Sequence, residues 1–285
     1  MSTSPRPTIG LALSGGAARG LAHVGVLRAL LEHQIPIDYV AGSSAGSIVG
    51  GALAAGMTID EIEALGRSLR WRHIGRLTMA RGGVMSNKPL EHFLRARLPK
   101  TRFEDLAIPF AVVATDLITG TGVIMRDEGD IALAIRASCT IPGWYVPVSD
   151  SQGHQLVDGG LIAVIPATFA RALGADIVIS VDVNSDGATF FGSSMRSIFG
   201  VILQSMLVAQ RTASAKQIAE SDYVITPKLS HIRWDQLRRA DELIKLGYEA
   251  GLSCAAEIKG LIDAGRGGRV GDTGTRRRED AGTRR

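Results

Sequence analysis

Aromatic residues are scarce in this 285-residue chain: Phe, Trp and Tyr together make up 5%. Cysteine is scarcer still, with only Cys139 and Cys254, far apart. Two distant cysteines give neither a disulfide framework nor metal-ligand spacing. Both read as small buried apolar residues of a reducing compartment. No apolar run approaches the length of a membrane span. Met1 to Thr8 is polar and contains proline, without the basic, apolar and small-residue succession of a signal peptide. These absences point to a cytoplasmic protein, at most peripheral to a membrane. A strong charge imbalance is missing too. The net charge is +4, and Arg276, Arg277, Arg278, Arg284 and Arg285 lie in a glycine-rich tail beginning near Gly265. Without the tail the chain is nearly neutral, so no folded basic patch argues for nucleic acid. The tail reads as a solvated, disordered terminus, with attraction to anionic lipid headgroups as its second reading.

Glycine is what the chain has in abundance, 34 residues, within a composition that is 45% hydrophobic and 21% charged. That mixture suits a buried core with tight turns and close helix–sheet packing. Short apolar runs read as strands at 9–13, 37–40, 110–115, 122–126, 155–157, 177–183 and 223–226. Helical patterns fill 19–32, 44–55, 60–69, 87–98, 131–138, 166–173 and 235–262. Thr58 is the expected N-cap of the third, Gly174 the stop of the sixth, and a bend is expected near Gly247 and Gly251 of the last. The alternation predicts an α/β fold, a sheet covered by helices on both faces. One domain over 1–264 and a tail over 265–285 follow. The stretch from Ser185 to Ala213 stands apart, crowding Phe190, Phe191, Met195, Ile198, Phe199, Met206 and Leu207 together. It reads first as a long helix packed on the sheet, and second as a lid or membrane-contacting element beside an acyl pocket.

Gly42-Ser43-Ser44-Ala45-Gly46 fits G-x-S-x-G, in which a serine at a sharp strand-to-helix turn projects its hydroxyl into open space. The neighbours must be tiny because the backbone folds back on itself. The bland alternative is a small-residue helix start packed on the sheet. Gly15-Gly16-Ala17-Ala18-Arg19-Gly20 also joins a strand to a helix and can aim backbone amides at an anion. Its spacing is not that of a dinucleotide loop, and no Walker lysine follows. An oxyanion hole is the better reading. A base is needed, because a neutral serine is a weak nucleophile. Asp158-Gly159-Gly160 ends a strand in an acid followed by two glycines, which presents a carboxylate or merely makes a common turn. Only His231 follows Asp158, in a loop with no turn motif, and the other five histidines have ordinary settings.

The three motifs in this order resemble those of the patatin-like phospholipases, over Ile9 to Val183. Leu21 to Leu27 is similar to that family's first helix, and Ala137 to Gly143 to the segment before its aspartate. The subgroup most resembled is the small bacterial patatin-like proteins. The resemblance implies a three-layer α/β/α fold with a mostly parallel central sheet and a Ser–Asp dyad without histidine. Ser44 is then the nucleophile and Asp158 its base. Gly15, Gly16, Ala17, Ala18, Arg19 and Gly20 form the oxyanion loop, with the amides of Gly16, Ala17 and Ala18 as donors. Gly42 and Gly46 shape the elbow, and Gly159 and Gly160 the acid turn. Ala17 departs from the family, which often has a third glycine there. Arg19 holds the loop, meets an anionic headgroup or is a surface arginine. The implied activity is hydrolysis of fatty-acyl esters of phospholipids or lysophospholipids through an acyl-enzyme, with no metal or organic cofactor. The alternatives are a regulatory or adaptor protein with little esterase activity, and a Ser–Asp–His hydrolase using His231.

Overall fold

Alternation along the first strand decides how the layers form. β1 (Ile9–Leu13) turns Ile9, Leu11 and Leu13 to one face and Ala12 to the other. A 3₁₀ turn at Ala17–Leu21 leads into α1 (Ala22–Glu32), followed by β2 (Tyr39–Ser43), α2 (Ala45–Ala54) and α3 (Ile59–Ser68). A short helix, α4 (Trp71–Ile74), enters β3 (Arg76–Leu77) and β4 (Gly83–Ser86), and α5 (Lys88–Arg95) follows. The chain then forms β5 (Phe110–Asp116), β6 (Gly122–Met125), α6 (Ile131–Ser138), β7 (Gly143–Tyr145), β8 (Val148–Ser149) and β9 (Gln155–Asp158). Last come α7 (Ala167–Ala172), β10 (Ile177–Val181), α8 (Ile198–Ala219), β11 (Tyr223–Ile225) and α9 (Ala240–Gly267). This computed structural model describes residues 6–80, 82–185 and 198–267. Phe190, Phe191 and Met195 lie outside the described residues, as does the basic tail beyond 267. Helix α9 runs to Gly267, past the expected domain boundary at 264.

β11, β10, β1, β2 and β5 lie side by side and parallel. Their large aliphatic residues, among them Leu11, Leu13, Val40, Val112 and Ile179, face α1, α2 and α9 in the main core. Their small residues, Ala12, Ala41 and Ala111, face α7. A Cβ at Gly10 would stand 2.6 Å from that of Ala175, so the thin face has no room for more. Helices thus cover both faces of a mostly parallel sheet, the three-layer α/β/α arrangement expected.

β5 carries three partners, and their registers place the site. β6 runs antiparallel along it from Val112↔Met125 to Thr115↔Gly122. The other edge of β5 is shared. β2 lies parallel there as far as Ser43↔Val113, and β9 lies antiparallel from Ala114↔Asp158 onward. The ends of β2 and β9 therefore meet head to head at consecutive positions of β5.

Thr58 caps α3 through a capping box: its hydroxyl accepts from the Glu61 amide, and the Glu61 carboxylate accepts from the Thr58 amide. Gly247 and Gly251 of α9 face α1. The helix is unbroken, and a Cβ at Gly247 would stand 2.0 Å from the Ala22 carbonyl oxygen. Gly25 of α1 meets the Ile244 carbonyl as closely, so glycine on both helices brings α1 and α9 backbone to backbone. A second, three-stranded sheet of β3, β4 and β7 was not foreseen, its strands being too short for period-two patterning.

Candidate active site

The Gly42–Gly46 turn is built from steric necessity. β2 ends at Ser43, α2 begins at Ala45, and Ser44 between them adopts φ 48°, ψ −122°. A non-glycine residue held there stores roughly 1–3 kcal/mol of strain. A Cβ at Gly42 would lie 2.5 Å from the Ser47 Cα, and one at Gly46 2.2 Å from the Leu13 carbonyl oxygen. Neither position admits a side chain, which is the physical content of the motif. The Ser44 amide donates to Ser138 Oγ at 2.8 Å, a partner from α6 that sequence reading did not single out.

Asp158 is the last residue of β9, and the register along β5 delivers it to Ser44. Ser44 Oγ donates to Asp158 Oδ2 at 2.7 Å, and the Gly160 amide donates to Oδ1 at 2.8 Å. A Cβ at Gly159 would sit 2.0 Å from the Val113 carbonyl oxygen, so glycine is required for the carboxylate to turn in. Asp158 is only 6% exposed. Burial outweighs its two hydrogen bonds and lifts its pKa to about 6. Cys139 is buried beside the pair, and burial with the Asp158 charge pushes its thiol pKa up. Cys254, by contrast, is only half-buried.

No histidine hydrogen-bonds to Ser44 or Asp158 among the described residues. His231 is exposed and faces Glu242 at 3.0 Å. His23 is fully buried, with its Nε2 donating to the Ser14 carbonyl at 2.8 Å, and burial lowers its pKa to about 4. It is a neutral brace beneath the glycine loop.

The loop itself divides its amides. Gly15 donates to the Val164 carbonyl, Ala18 to that of Trp234 at 2.8 Å, and Arg19 to that of Gly16. The expected contribution of the Ala18 amide is therefore corrected: it is spent on the segment before α9. The amides of Gly16 and Ala17 have no acceptor among the described residues, and both residues line the cleft over Ser44 and Asp158. Ala17 reaches this position at φ 48°. Gly20 serves packing, since a Cβ there would meet that of Ala45 at 2.4 Å. Arg19 is no surface residue. It is 2% exposed, and its Nε donates to the Ile232 carbonyl at 2.7 Å, tying loop to segment.

Asn184, which sequence reading missed, completes the loop. Its Nδ2 donates to the Gly15 carbonyl at 2.6 Å. In a trans peptide the N–H points opposite to the C=O, so this bond turns the Gly16 N–H away from Asn184. The available signal was positional: Asn184 lies just past β10, at the carboxyl ends of the parallel strands, where open α/β sheets bind ligands. From α8, Met206, Leu207 and Gln210 form another wall of the cleft. Part of the apolar 185–213 stretch thus stands at the cleft, and Gln217, further along α8, ties the helix to the Ile162 and Ile165 backbone. No helix among the described residues is long and apolar enough to cross a membrane.

Comparison with known proteins adds to this geometry. Residues 11–171 match the family model described as patatin-like phospholipase. A patatin-like phospholipase domain-containing protein of Caenorhabditis elegans is 32% identical over 93% of this chain and 21% of its own length. An uncharacterized NTE family protein of Mycobacterium tuberculosis is 38% identical over 66% of this chain and 51% of its own. Patatin-like phospholipase domain-containing protein 6 of Homo sapiens is 33% identical over 68% of this chain and 14% of its own. The chain thus spans about half or less of the length of these relatives. Among solved structures, VipD from Legionella pneumophila shares the fold, with a TM-score of 0.52 at 15% identity over 90% of this chain and 68% of that one.

Proposed function

This chain belongs to the patatin-like phospholipase family, and on that footing we propose that it is a serine acyl hydrolase of fatty-acyl esters working through a Ser44–Asp158 dyad. The observation that carries the reading is the 2.7 Å hydrogen bond from Ser44 Oγ to Asp158 Oδ2 with every histidine elsewhere. Asp158 Oδ2 takes the Oγ proton as the oxygen attacks the ester carbonyl. The Gly16 and Ala17 amides receive the developing oxyanion, with Asn184 orienting the first. The leaving alcohol takes back the proton, and water resolves the acyl-enzyme with Asp158 again as base. A carboxylate with its pKa near 6 is a better match to this task than a free one near 3.9, and it is still largely ionised at pH 7. An apolar crevice bordered by Ala17 and Ala45, and lined by Leu21, Val24, Ile48 and Ile62, offers a place for an acyl chain.

Labelling by a fluorophosphonate probe, alongside p-nitrophenyl ester turnover, tests the dyad. Asp158→Asn is expected to abolish both, and His231→Ala to keep both within about twofold, because a dyad needs no imidazole. Turnover should fall on the acid side with a midpoint near pH 6, since protonated Asp158 cannot accept the serine proton. A folded His231→Ala protein that no longer acylates Ser44 would overturn the dyad in favour of a triad.

A further inference from the structure

From Ala64 to Leu90 the chain carries Arg67, Arg70, Arg72, Arg76, Arg81 and Lys88, and no acidic residue. The near-neutrality of the chain outside its tail conceals this concentration. Arg70, Arg72 and Arg76 are exposed. Arg70 donates to the carbonyls of Arg67 and Leu69, and Arg72 to the ring of His73; none of the three has a carboxylate partner among the described residues. Arg70 and Arg72 share a surface groove with Trp71, Leu237 and Arg238. Acids near this groove are engaged elsewhere: Asp235 with Arg233, Glu242 with Arg239, and Asp241 with Arg67.

Next along the chain, the β3–β4 hairpin holds apolar side chains out in solvent. Leu77 is 83% exposed and Met79 102%. Exposed apolar residues occur elsewhere, notably Ile118 in the β5–β6 turn, but the segment from Asp116 to Gly122 contains no cation. Among the described residues, only at the hairpin do protruding aliphatics coincide with guanidinium groups that lack a carboxylate partner. Flexible apolar tips flanked by arginine suit a fluid anionic surface, where the tips enter the acyl region and the cations meet phosphates.

The geometry points to the β3–β4 hairpin, with Arg70, Arg72, Arg76 and Arg238, as the surface by which this protein docks on an anionic lipid bilayer. What the docked protein does there rests on the proposed hydrolase reading; the docking itself does not. Two connections tie the surface to the cleft. Leu237 lines both the basic groove and the apolar crevice behind Ala17 and Ala45. β4 pairs with β7, which begins just after Ile141 of the cleft wall. The basic groove thus shares Leu237 with the crevice, and the crevice shares Ala17 with the cleft over Ser44.

The test is co-sedimentation of the full chain with vesicles of phosphatidylcholine alone or mixed with phosphatidylglycerol, with p-nitrophenyl butyrate turnover measured in parallel. Binding is followed in a Ser44→Ala background, so hydrolysis does not disturb it. The parent should bind the mixed vesicles and bind phosphatidylcholine far more weakly. The triple variant Arg70→Gln, Arg72→Gln, Arg76→Gln should lose on the order of 100-fold in affinity for the mixed vesicles, at about 1 kcal/mol per cation. Leu77→Ser with Met79→Ser should lose on the order of 10-fold. With Ser44 restored, both should hydrolyse the soluble ester as the parent does. Undiminished vesicle binding by the triple variant overturns the assignment. So does loss of binding on replacing Arg276, Arg277 and Arg278 by Gln while the hairpin variants still bind. A dimer in sedimentation that Leu77→Ser with Met79→Ser dissociates, or binding to polyglutamate but not to vesicles, also overturns it. A chain that binds vesicles yet hydrolyses no ester defeats the hydrolase reading alone.

Discussion

Ser44 and Ala17 share a backbone angle, φ 48°, in turns that leave two neighbouring parallel strands. Both are non-glycine residues at a positive φ, where the strain is roughly 1–3 kcal/mol. What they present differs. Ser44 presents a hydroxyl, so its side chain is the reason for the strain, and Gly42 and Gly46 are stripped bare to allow it. Ala17 presents an amide, and its methyl group adds nothing to the proposed chemistry. The same positive φ thus serves a side chain in one loop and the main chain in the other. Strain is unavoidable in the first and removable in the second.

Ser44→Gly tests the first half of this comparison most severely. Ester turnover is expected to fall by at least about 10⁴-fold. Denaturant unfolding should show a protein no less stable than the parent, because glycine accepts the turn freely. A marked loss of stability would mean that the elbow stores no releasable strain. The second loop is probed through Asn184. With Asn184→Ala the Gly15–Gly16 peptide loses its anchor, and kcat should fall on the order of 10- to 100-fold with KM nearly unchanged. A change confined to KM would show that Asn184 binds substrate rather than orienting the loop. The smallest effect is expected of Ala17→Gly. Relief of strain is offset by glycine's extra freedom in the unfolded chain, leaving a gain of about 1 kcal/mol or less. Activity should stay within about threefold, read from the unfolding midpoint and ester turnover. A large loss of activity would assign the Ala17 methyl group a role the comparison denies it.

These contrasts also explain what could be read from sequence. The elbow, the acid turn and the Thr58 cap were legible because each is a local requirement written in consecutive residues. Gly42 is small for a reason that holds within one turn, its approach to Ser47, whereas Gly46 and Gly159 are small because of Leu13 and Val113 on other strands and are legible only through the motifs they belong to. Asn184 and Ser138 were not legible, because their roles depend on which strand and helix ends the sheet gathers together. The Ala18 amide was misassigned for the same reason: its acceptor, Trp234, is distant in sequence and adjacent only after folding. Gly247 and Gly251 were read as a helix defect because glycine lowers helix propensity. The opposing helix α1 that makes them necessary is invisible in a local window. The hairpin at 76–86 escaped notice because its strands are too brief to alternate.

The head-to-head meeting of β2 and β9 along β5 has a further consequence. Ser44 and Asp158 are 114 residues apart in the chain, yet that contour length does not set their separation. Two adjacent rungs of a third strand do, as marks on a ruler locate two pointers. The intervening chain can be lengthened at its surface turns, or opened at the tip between Ile118 and Thr121, without moving either pointer. A one-residue slip of β9 on β5 would instead swing Asp158 to the opposite side of the sheet and silence the pair. Tolerance to insertion and intolerance to register error are thus two faces of one alignment.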